Sequence, residues 1–265
     1  MKVALTIAGS DSGSGAGIQA DLKTFAAFGV YGINVITALT AQNTQGVFGV
    51  AEQTPKFIAK QLFVLMKDIG CQAAKTGMLY NSQIIEQVSH EIKKYKISPL
   101  VVDPVMVAKG GHPLLKAEAE EALVTCLLPL ANLLTPNIDE SVRLAKMKKI
   151  ENLEQMKEAA LKISMLGPRA VLIKGGHLSG RATDLYFDGR IFKTYDSERI
   201  DTSNTHGTGC TYSAAITACL ARGLKMEPAI DEAKKYVTGC IKNSVGIGHG
   251  FGPLDHFWSG KIREC

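Results

Sequence analysis

Leu134-Thr135-Pro136-Asn137-Ile138-Asp139-Glu140 reads as a strand running straight into a helix. The apolar residues ahead of Thr135 suit a buried strand near 132–135. Asn137 then stands where an N-cap side chain accepts a backbone N–H, and Glu140, three residues on, can reach back to complete a capping box. A structural cap explains both residues without any catalysis.

Outward from this unit the pattern repeats. Short runs rich in Val, Ile and Leu fall near 3–8, 33–39, 72–77, 99–103 and 170–174. Between them Ile58, Leu62, Leu65 and Ile69 recur at helical spacing, as do Leu153, Met156, Ala160 and Ile163, and later Ile230, Ala233, Val237 and Ile241. Each stripe can lay one helix face on a sheet. Strands alternating with amphipathic helices predict βα units around a mostly parallel sheet. Residues 183–196 depart from it, reading as two strands joined at Asp188-Gly189, a hairpin that adds antiparallel strands late in the sheet. No Pro/Ser-rich linker, low-complexity tract or internal repeat divides the chain, so residues 1–265 are read as one domain.

Composition narrows the class. Hydrophobic residues make up 46% and charged residues 21% of the chain, and no apolar run approaches the ~20 residues of a membrane span, which is the profile of a soluble globular protein. Met1 to Ser10 superficially imitates a signal peptide, but its apolar run is short and Asp11 follows at once, so a buried first strand is expected. Six cysteines lack any CxxC pair, which points to reduced thiols in a cytoplasmic compartment, without a disulfide framework or zinc site. The histidines show no metal-ligand spacing, and His249 and His256 read as surface or loop residues. The net charge of +5 is modest and its lysine clusters fall near predicted helix ends. With no basic stripe interleaved with aromatics, nucleic acid and membrane are not expected partners, while anionic small substrates are mildly favoured.

In open α/β sheets ligands sit at the carboxyl ends of strands, so the loops there carry the functional signal. Ala8-Gly9-Ser10-Asp11-Ser12-Gly13-Ser14-Gly15-Ala16-Gly17 leads into a helix bearing Asp21, yet its glycines miss the G-x-G-x-x-G spacing of a dinucleotide fold. The second strand leads to Thr40-Ala41-Gln42-Asn43-Thr44-Gln45-Gly46, whose amides can pair with a heteroaromatic edge or simply cap a loop. Lys75-Thr76-Gly77-Met78, Val101-Val102-Asp103-Pro104-Val105-Met106 and Leu172-Ile173-Lys174-Gly175-Gly176-His177 complete the edge. Thr205-His206-Gly207-Thr208-Gly209-Cys210 precedes the small-residue run Thr211 to Ile216 and reads as a glycine turn opening a helix. Bare amides at a helix start suit phosphate, and the same field is expected to bring the Cys210 thiol down towards neutrality. A packing turn with an inert cysteine remains the alternative for that segment alone. So many strands delivering glycine, amide or carboxylate to one edge favour a composite active site.

With these residues assembled, the chain resembles the hydroxymethylpyrimidine/phosphomethylpyrimidine kinases of thiamin biosynthesis, in the ribokinase-like superfamily, essentially end to end. The resemblance implies a three-layer α/β/α ribokinase-like fold with a central mostly parallel sheet and a late antiparallel hairpin. It implies an ATP- and Mg2+-dependent kinase that phosphorylates 4-amino-5-hydroxymethyl-2-methylpyrimidine to its monophosphate and then to the diphosphate, as a homodimer. Carried over by position, Ala16, Asp21, Gln42, Met78 and Val105 correspond to pyrimidine-binding positions. Cys210, with Gly207, Thr208 and Gly209, corresponds to the catalytic turn, Cys210 as base. Asn137, Lys174, Thr205 and the 207–209 turn would serve the nucleotide, and Asp103 and Glu140 would hold magnesium. One departure stands out: the family usually carries a Gly-Gly pair where this chain has Ser14-Gly15.

The nearest rival is a pyridoxine or pyridoxal kinase of the same family, against which Gln42-Asn43 and Ala108 speak. A non-catalytic pyrimidine-binding protein would be expected to lose Cys210, the glycines or Glu140. Residues 107–113 are the candidate lid, with glycines that would let it close over phosphate.

Overall fold

The computed structural model describes residues 1–107, 111, 114–116, 118–176 and 180–260. The candidate lid therefore falls mostly outside the described residues, as do Ala108, His177 and Cys265.

Nine strands form one sheet. They are β1 (Val3–Asp11), β2 (Tyr31–Asn43), β3 (Gly46–Glu52), β4 (Ala73–Thr76), β5 (Leu100–Val102), β6 (Leu133–Leu134), β7 (Val171–Ile173), β8 (Ala182–Phe187) and β9 (Phe192–Ser197), in the order β3-β2-β1-β4-β5-β6-β7-β8-β9. The six strands from β2 to β7 pair in parallel, and β3, β8 and β9 are antiparallel to their neighbours. The central strands are apolar on both faces because helices cover both.

The helices are α1 (Gly17–Ala27), α2 (Pro55–Asp68), α3 (Ser82–Tyr95), α4 (Ala119–Ala122), α5 (Ile138–Leu144), α6 (Leu153–Ser164), α7 (Thr208–Ala221) and α8 (Met226–Lys242). Side-chain alternation along the strands sorts them into two layers. Leu100, Val102, Leu134, Val171 and Ile173 pack with Ile58 and Leu62 of α2, Ile84 and Val88 of α3, Leu144 of α5 and Met156 of α6. Their sequence neighbours Val101, Leu133 and Leu172 point the other way, onto Ile216 and Cys219 of α7 and Ile230 and Val237 of α8. Ala4, Ala73 and Phe25 of α1 continue that second layer. This is the expected three-layer fold, and the late hairpin turns at Asp188-Gly189 as expected, with the Asp188 carboxylate accepting from the Arg190 and Ile191 N–H groups.

Three readings need correction. The Thr40–Gly46 segment is not a loop: β2 continues to Asn43, turns with Asn43 Oδ1 accepting from Gln45 and Gly46 N–H, and returns as β3. β3 is an edge strand with no fully buried residue, so it carries no hydrophobic alternation to read. A β-bulge at Ala41/Gln42 disrupts this pairing and re-aims the strand there. The second correction is His256, which is 2% exposed rather than on the surface, with Nε2 2.9 Å from Thr211 Oγ1 of α7; His249 is exposed as expected. The third concerns the ends of two stripes: Ile69 is 43% exposed beyond the end of α2, and Leu153 is 36% exposed at the start of α6, instead of packing on the sheet.

Burial, aided by the Lys23 charge, pushes His256 down to about 4. An unfolded histidine takes up a proton near pH 6.5, so below that the unfolded chain binds a proton the folded one refuses. Stability should fall by about 2–3 kcal/mol between pH 6.5 and 4.5 from this group, at ~1.36 kcal/mol per unit. His256→Gln, which keeps an acceptor for Thr211, should flatten that limb in urea melts; an unchanged acid limb refutes the assignment.

Candidate active site

The parallel strands end on one side, and there the glycine loop after β1 meets the turn before α7. Asp11 is the join. Its Oδ1 accepts from Gly13 N–H at 2.8 Å, and its Oδ2 accepts from Gly15 and Ala16 N–H at 3.0 and 2.8 Å and lies 2.9 Å from His206 Nε2. Burial pushes the Asp11 carboxyl up, but the His206 bond and the loop amides outweigh it and bring it below its ordinary value. The backbones then touch. Gly207 has φ +81°, and a Cβ there would collide with Gly15 O, just as one on Gly15 would collide with the His206 ring. Ser14 sits at φ +60°, a left-handed backbone that a serine adopts at a cost in strain.

Gly207 is the N-cap of α7 and offers no side chain to cap it; Thr208 N–H is held by Thr205 O at 3.3 Å, and the Gly209 and Cys210 amides are left without a side-chain cap. Lys174 and Asp103 abut that turn. A Cβ on Gly209 would lie 3.2 Å from Lys174 Nζ and 3.6 Å from Asp103 Oδ2. Lys174 Nζ donates to Asp103 Oδ1 at 2.9 Å, and Ser213 Oγ of α7 donates to Asp103 Oδ2 at 3.2 Å. Burial alone would lower Lys174, but Asp103 and Glu140 raise it and keep it an ammonium.

Glu140 and Asn137 form the capping box read from sequence: Asn137 Oδ1 accepts from Glu140 N–H at 2.9 Å and Glu140 Oε2 from Asn137 N–H at 2.8 Å. Glu140 Oε1 also accepts from Met106 N–H at 3.3 Å. Burial lifts the Glu140 carboxyl, Lys174 pulls it down and Asp103 pushes it up, with a net rise. Two buried carboxylates beside a phosphate-type turn match magnesium, which takes one or two carboxylates and fills its shell with water and phosphate oxygens. Among the described residues no cluster of three acidic, His or Cys side chains forms a self-sufficient metal cage.

The thiol differs from expectation. Cys210 is partly exposed, yet burial pushes it up to about 11, with Asp21 and Asp103 adding to the rise and Lys75 and the Gly17 N–H opposing it. The helix start does not win because the loss of solvent around the sulfur outweighs it, with the two carboxylates adding a smaller push. Asp21 also departs from a direct substrate contact. It is fully buried, with Oδ1 2.7 Å from Lys75 Nζ and Oδ2 accepting from Thr6 Oγ1 at 2.6 Å. The N–H of Ala16 is likewise spent on Asp11, leaving its methyl group for a ligand.

The remaining predicted positions converge. Met78 and Val105 pack with Ala38 and Leu114 into an apolar wall. Val105 holds φ +38°, a strained state for a β-branched residue and one that clusters at ligand sites. Gln42 is half-buried at the bulge, its Nε2 3.3 Å from His206 Nε2. Thr205 presents its carbonyl to Thr208 N–H and Oγ1, which shapes the turn. Sequence reasoning gave no role to Asp11, His206, Lys75 or Ser213. For Lys75 a signal existed, since a lysine between Ala74 and Thr76 in a buried strand demands an acid partner.

The family model for phosphomethylpyrimidine kinase matches residues 11–255. The hydroxymethylpyrimidine/phosphomethylpyrimidine kinase of Bacillus subtilis is 45% identical over 96% of this chain and 94% of its own length. A bifunctional thiamine biosynthesis protein of Geobacter sulfurreducens is 49% identical over 95% of this chain, which spans about half, 51%, of that longer protein. Among solved structures, a Bacillus subtilis pyridoxal kinase in complex with ADP superposes with a TM-score of 0.92 at 42% identity, covering 98% of both chains.

The loop contact is testable by comparing two glycines of left-handed φ. Gly29 (φ +67°) has open space around its Cβ position, whereas Gly207 meets the Gly15 backbone. Gly29→Ala should cost about 1–2 kcal/mol from φ alone. Gly207→Ala should cost at least about 2 kcal/mol more and abolish nucleotide binding, by denaturant melts and ADP titration. Equal costs would mean that the loops do not press together.

Proposed function

The chain belongs to the phosphomethylpyrimidine kinase family of the ribokinase-like superfamily, and we propose that within it the enzyme phosphorylates 4-amino-5-hydroxymethyl-2-methylpyrimidine and then its monophosphate. It is an ATP-dependent kinase of small vitamin precursors with a pyrimidine- or pyridoxal-type substrate. The observation that carries the finer reading is Gln42, an amide able to donate and accept, placed at the bulge beside the turn that holds Cys210.

The reaction forms a bond between the substrate's hydroxymethyl oxygen and the γ-phosphorus and breaks the bond from that phosphorus to the β–γ bridging oxygen. The hydroxyl proton goes to Cys210 Sγ. Phosphoryl transfer has a loose transition state, so positioning and charge neutralisation dominate. The amides of 207–210 and the Lys174 ammonium supply fixed positive character where the transferred group gathers negative charge. Met78 and Val105 hold the ring's apolar face and exclude water from it. Lys75, anchored by Asp21, places a second cation by the thiol and favours its thiolate. Asp103 and Glu140 would hold Mg2+, which when bound supplies charge to the phosphate oxygens.

A thiolate with a parent pKa of about 11 is scarce at neutral pH but strongly basic, so the mechanism predicts a pH signature. The similarity to a pyridoxal kinase supports a second reading, in which a pyridoxal-type ring occupies the same wall. The kinase family, and the intact Cys210 turn, set aside a purely binding role.

Turnover on both substrates separates the readings: kcat/KM should favour the aminopyrimidine over pyridoxal by about tenfold or more, a difference near 1.4 kcal/mol. Cys210→Ala should lower kcat by about 10²–10⁴-fold with KM nearly unchanged. Log kcat/KM of the unaltered enzyme should climb by about one per pH unit from pH 7 to 9, since the thiolate fraction grows tenfold per unit below its pKa. The slope should vanish in Cys210→Ala, and undiminished turnover by that variant removes the base role.

A further inference from the structure

Between the two glycine loops runs a chain of polar side chains that the phosphoryl transfer does not use. His206 Nε2 lies 2.9 Å from Asp11 Oδ2 and 3.3 Å from Gln42 Nε2. Gln42 Oε1 lies 3.0 Å from Thr40 Oγ1, which is also 3.0 Å from Ser10 O. Asp11 is 2% exposed and already accepts N–H bonds from Gly13, Gly15 and Ala16. A carboxylate so surrounded by donors is ionised and can only accept, so the proton between it and His206 rides on Nε2.

That assignment constrains Gln42. A protonated Nε2 keeps no lone pair, so an NH2 group facing it would set N–H against N–H. The single Thr40 hydroxyl hydrogen would also have to serve both Ser10 O and Gln42 Oε1. Turning the amide end for end gives every proton an acceptor. His206 Nε2–H then reaches Asp11 with Gln42 oxygen as its second acceptor, the Gln42 NH2 donates to Thr40 Oγ1, and the Thr40 hydroxyl donates to Ser10 O.

We propose that His206, held by Asp11, is a positioning residue that fixes the Gln42 amide with its oxygen towards the α7 turn and its nitrogen towards Thr40, and thereby sets which substrate ring the enzyme prefers. Two features make the orientation matter. An amide presents a donor beside an acceptor, and reversing it reverses their order along the ring edge. An aminopyrimidine presents a ring nitrogen beside an exocyclic amine, an acceptor next to a donor, and matches one order only. A pyridoxal-type ring carries no exocyclic amine and is indifferent to it. The proposal rests on the reading of Gln42 as the residue that meets the pyrimidine edge. It also gives the Asp11 clamp a second consequence, because the bond that joins the loops also orients the side chain between them.

Two measurements test it. Nitrogen-15 NMR of the free, full-length protein should show His206 with a protonated Nε2; a bare Nε2 with the proton on Nδ1 alone overturns the proposal whatever the substrate. His206→Phe keeps the ring's bulk against Gly15 and removes the nitrogen, while His206→Gln restores a donor near the Nε2 position. In His206→Phe, kcat/KM for the aminopyrimidine should drop 10- to 100-fold, chiefly through KM. Losing the Asp11 bond should lower the pyridoxal and ATP parameters by a common factor, so the aminopyrimidine's loss should exceed pyridoxal's by at least about tenfold, and His206→Gln should recover most of that excess. Equal losses on both substrates, in an enzyme whose parent phosphorylates the aminopyrimidine, overturn this proposal alone. A parent enzyme that ignores the aminopyrimidine overturns the substrate reading and the specificity role with it.

Discussion

One carboxylate holds the catalytic edge together. Asp11 ends β1, and its two oxygens gather the amides of Gly13, Gly15 and Ala16 and the ring of His206. Without that anion the N–H groups of Gly13, Gly15 and Ala16 would lack a shared acceptor, an expensive loss above all at Gly15, which is buried. With it, the loop folds tightly enough for Gly207 to rest on Gly15 O, which sets where α7 begins. The position of Cys210, the uncapped amides and the closeness of Lys174 to Gly209 all follow from that start.

Buried ion pairs extend the same logic across the sheet. Lys75–Asp21 joins β4 to α1, Lys174–Asp103 joins the ends of β7 and β5, and Lys234–Asp184 joins α8 to β8. Asp184 Oδ1 also accepts from Gly175 N–H at 3.0 Å, so the third pair secures the loop that follows Lys174. Such pairs add little net stability, since desolvation offsets the Coulomb gain. Their value here is positional: each fixes a loop whose backbone or cation faces the cleft. Burial raises the Cys210 thiol instead of lowering it, and the nearby Asp21 and Asp103 carboxylates add to the rise against the pull of Lys75.

What the sequence made legible follows from where burial is periodic. β1, β5, β6 and β7 are covered on both faces, so their apolar runs stand out, and the capping box at Asn137 and Glu140 is a local rule that tertiary contacts did not override. β3 escaped because an edge strand with Phe48 71% exposed has no inside to encode. His256 escaped for the opposite reason: its glycine-rich neighbourhood reads as loop, while Thr211 and Tyr236 draw it inside through bonds far apart in sequence. At the candidate site, the glycines, Lys174 and Asp103 could be picked out because such residues stand out just after buried strands, and Cys210 because it follows a glycine turn that opens a helix. Asp11 and His206 were quoted within their motifs yet given no part, since their meaning is a contact spanning 195 positions. The Cys210 acidity was misread because a helix start can be seen in one segment, while the burial of the thiol, and the Asp21 and Asp103 charges that add to it, cannot.

The likeness to both a pyrimidine kinase and a pyridoxal kinase has a physical reading in this arrangement. The phosphate turn, Lys174 and the buried pairs contact nothing that distinguishes two flat heteroaromatic alcohols, so they can serve either. In the reading proposed above, discrimination falls to Gln42, which lies on the bulged end of β2, beyond the ladder of parallel strands. A bulge permits a side chain to be re-aimed without disturbing the register of the sheet. Gln42 occupies that bulge, and charged support reaches it through His206 from Asp11, the carboxylate that also gathers the loop after β1. If Gln42 reads the ring as proposed, its coupling to Asp11 means that substrate preference cannot drift independently of the geometry of that loop. A change of substrate in this fold would then require altering the amide or its histidine, while leaving Asp11 to hold the loops.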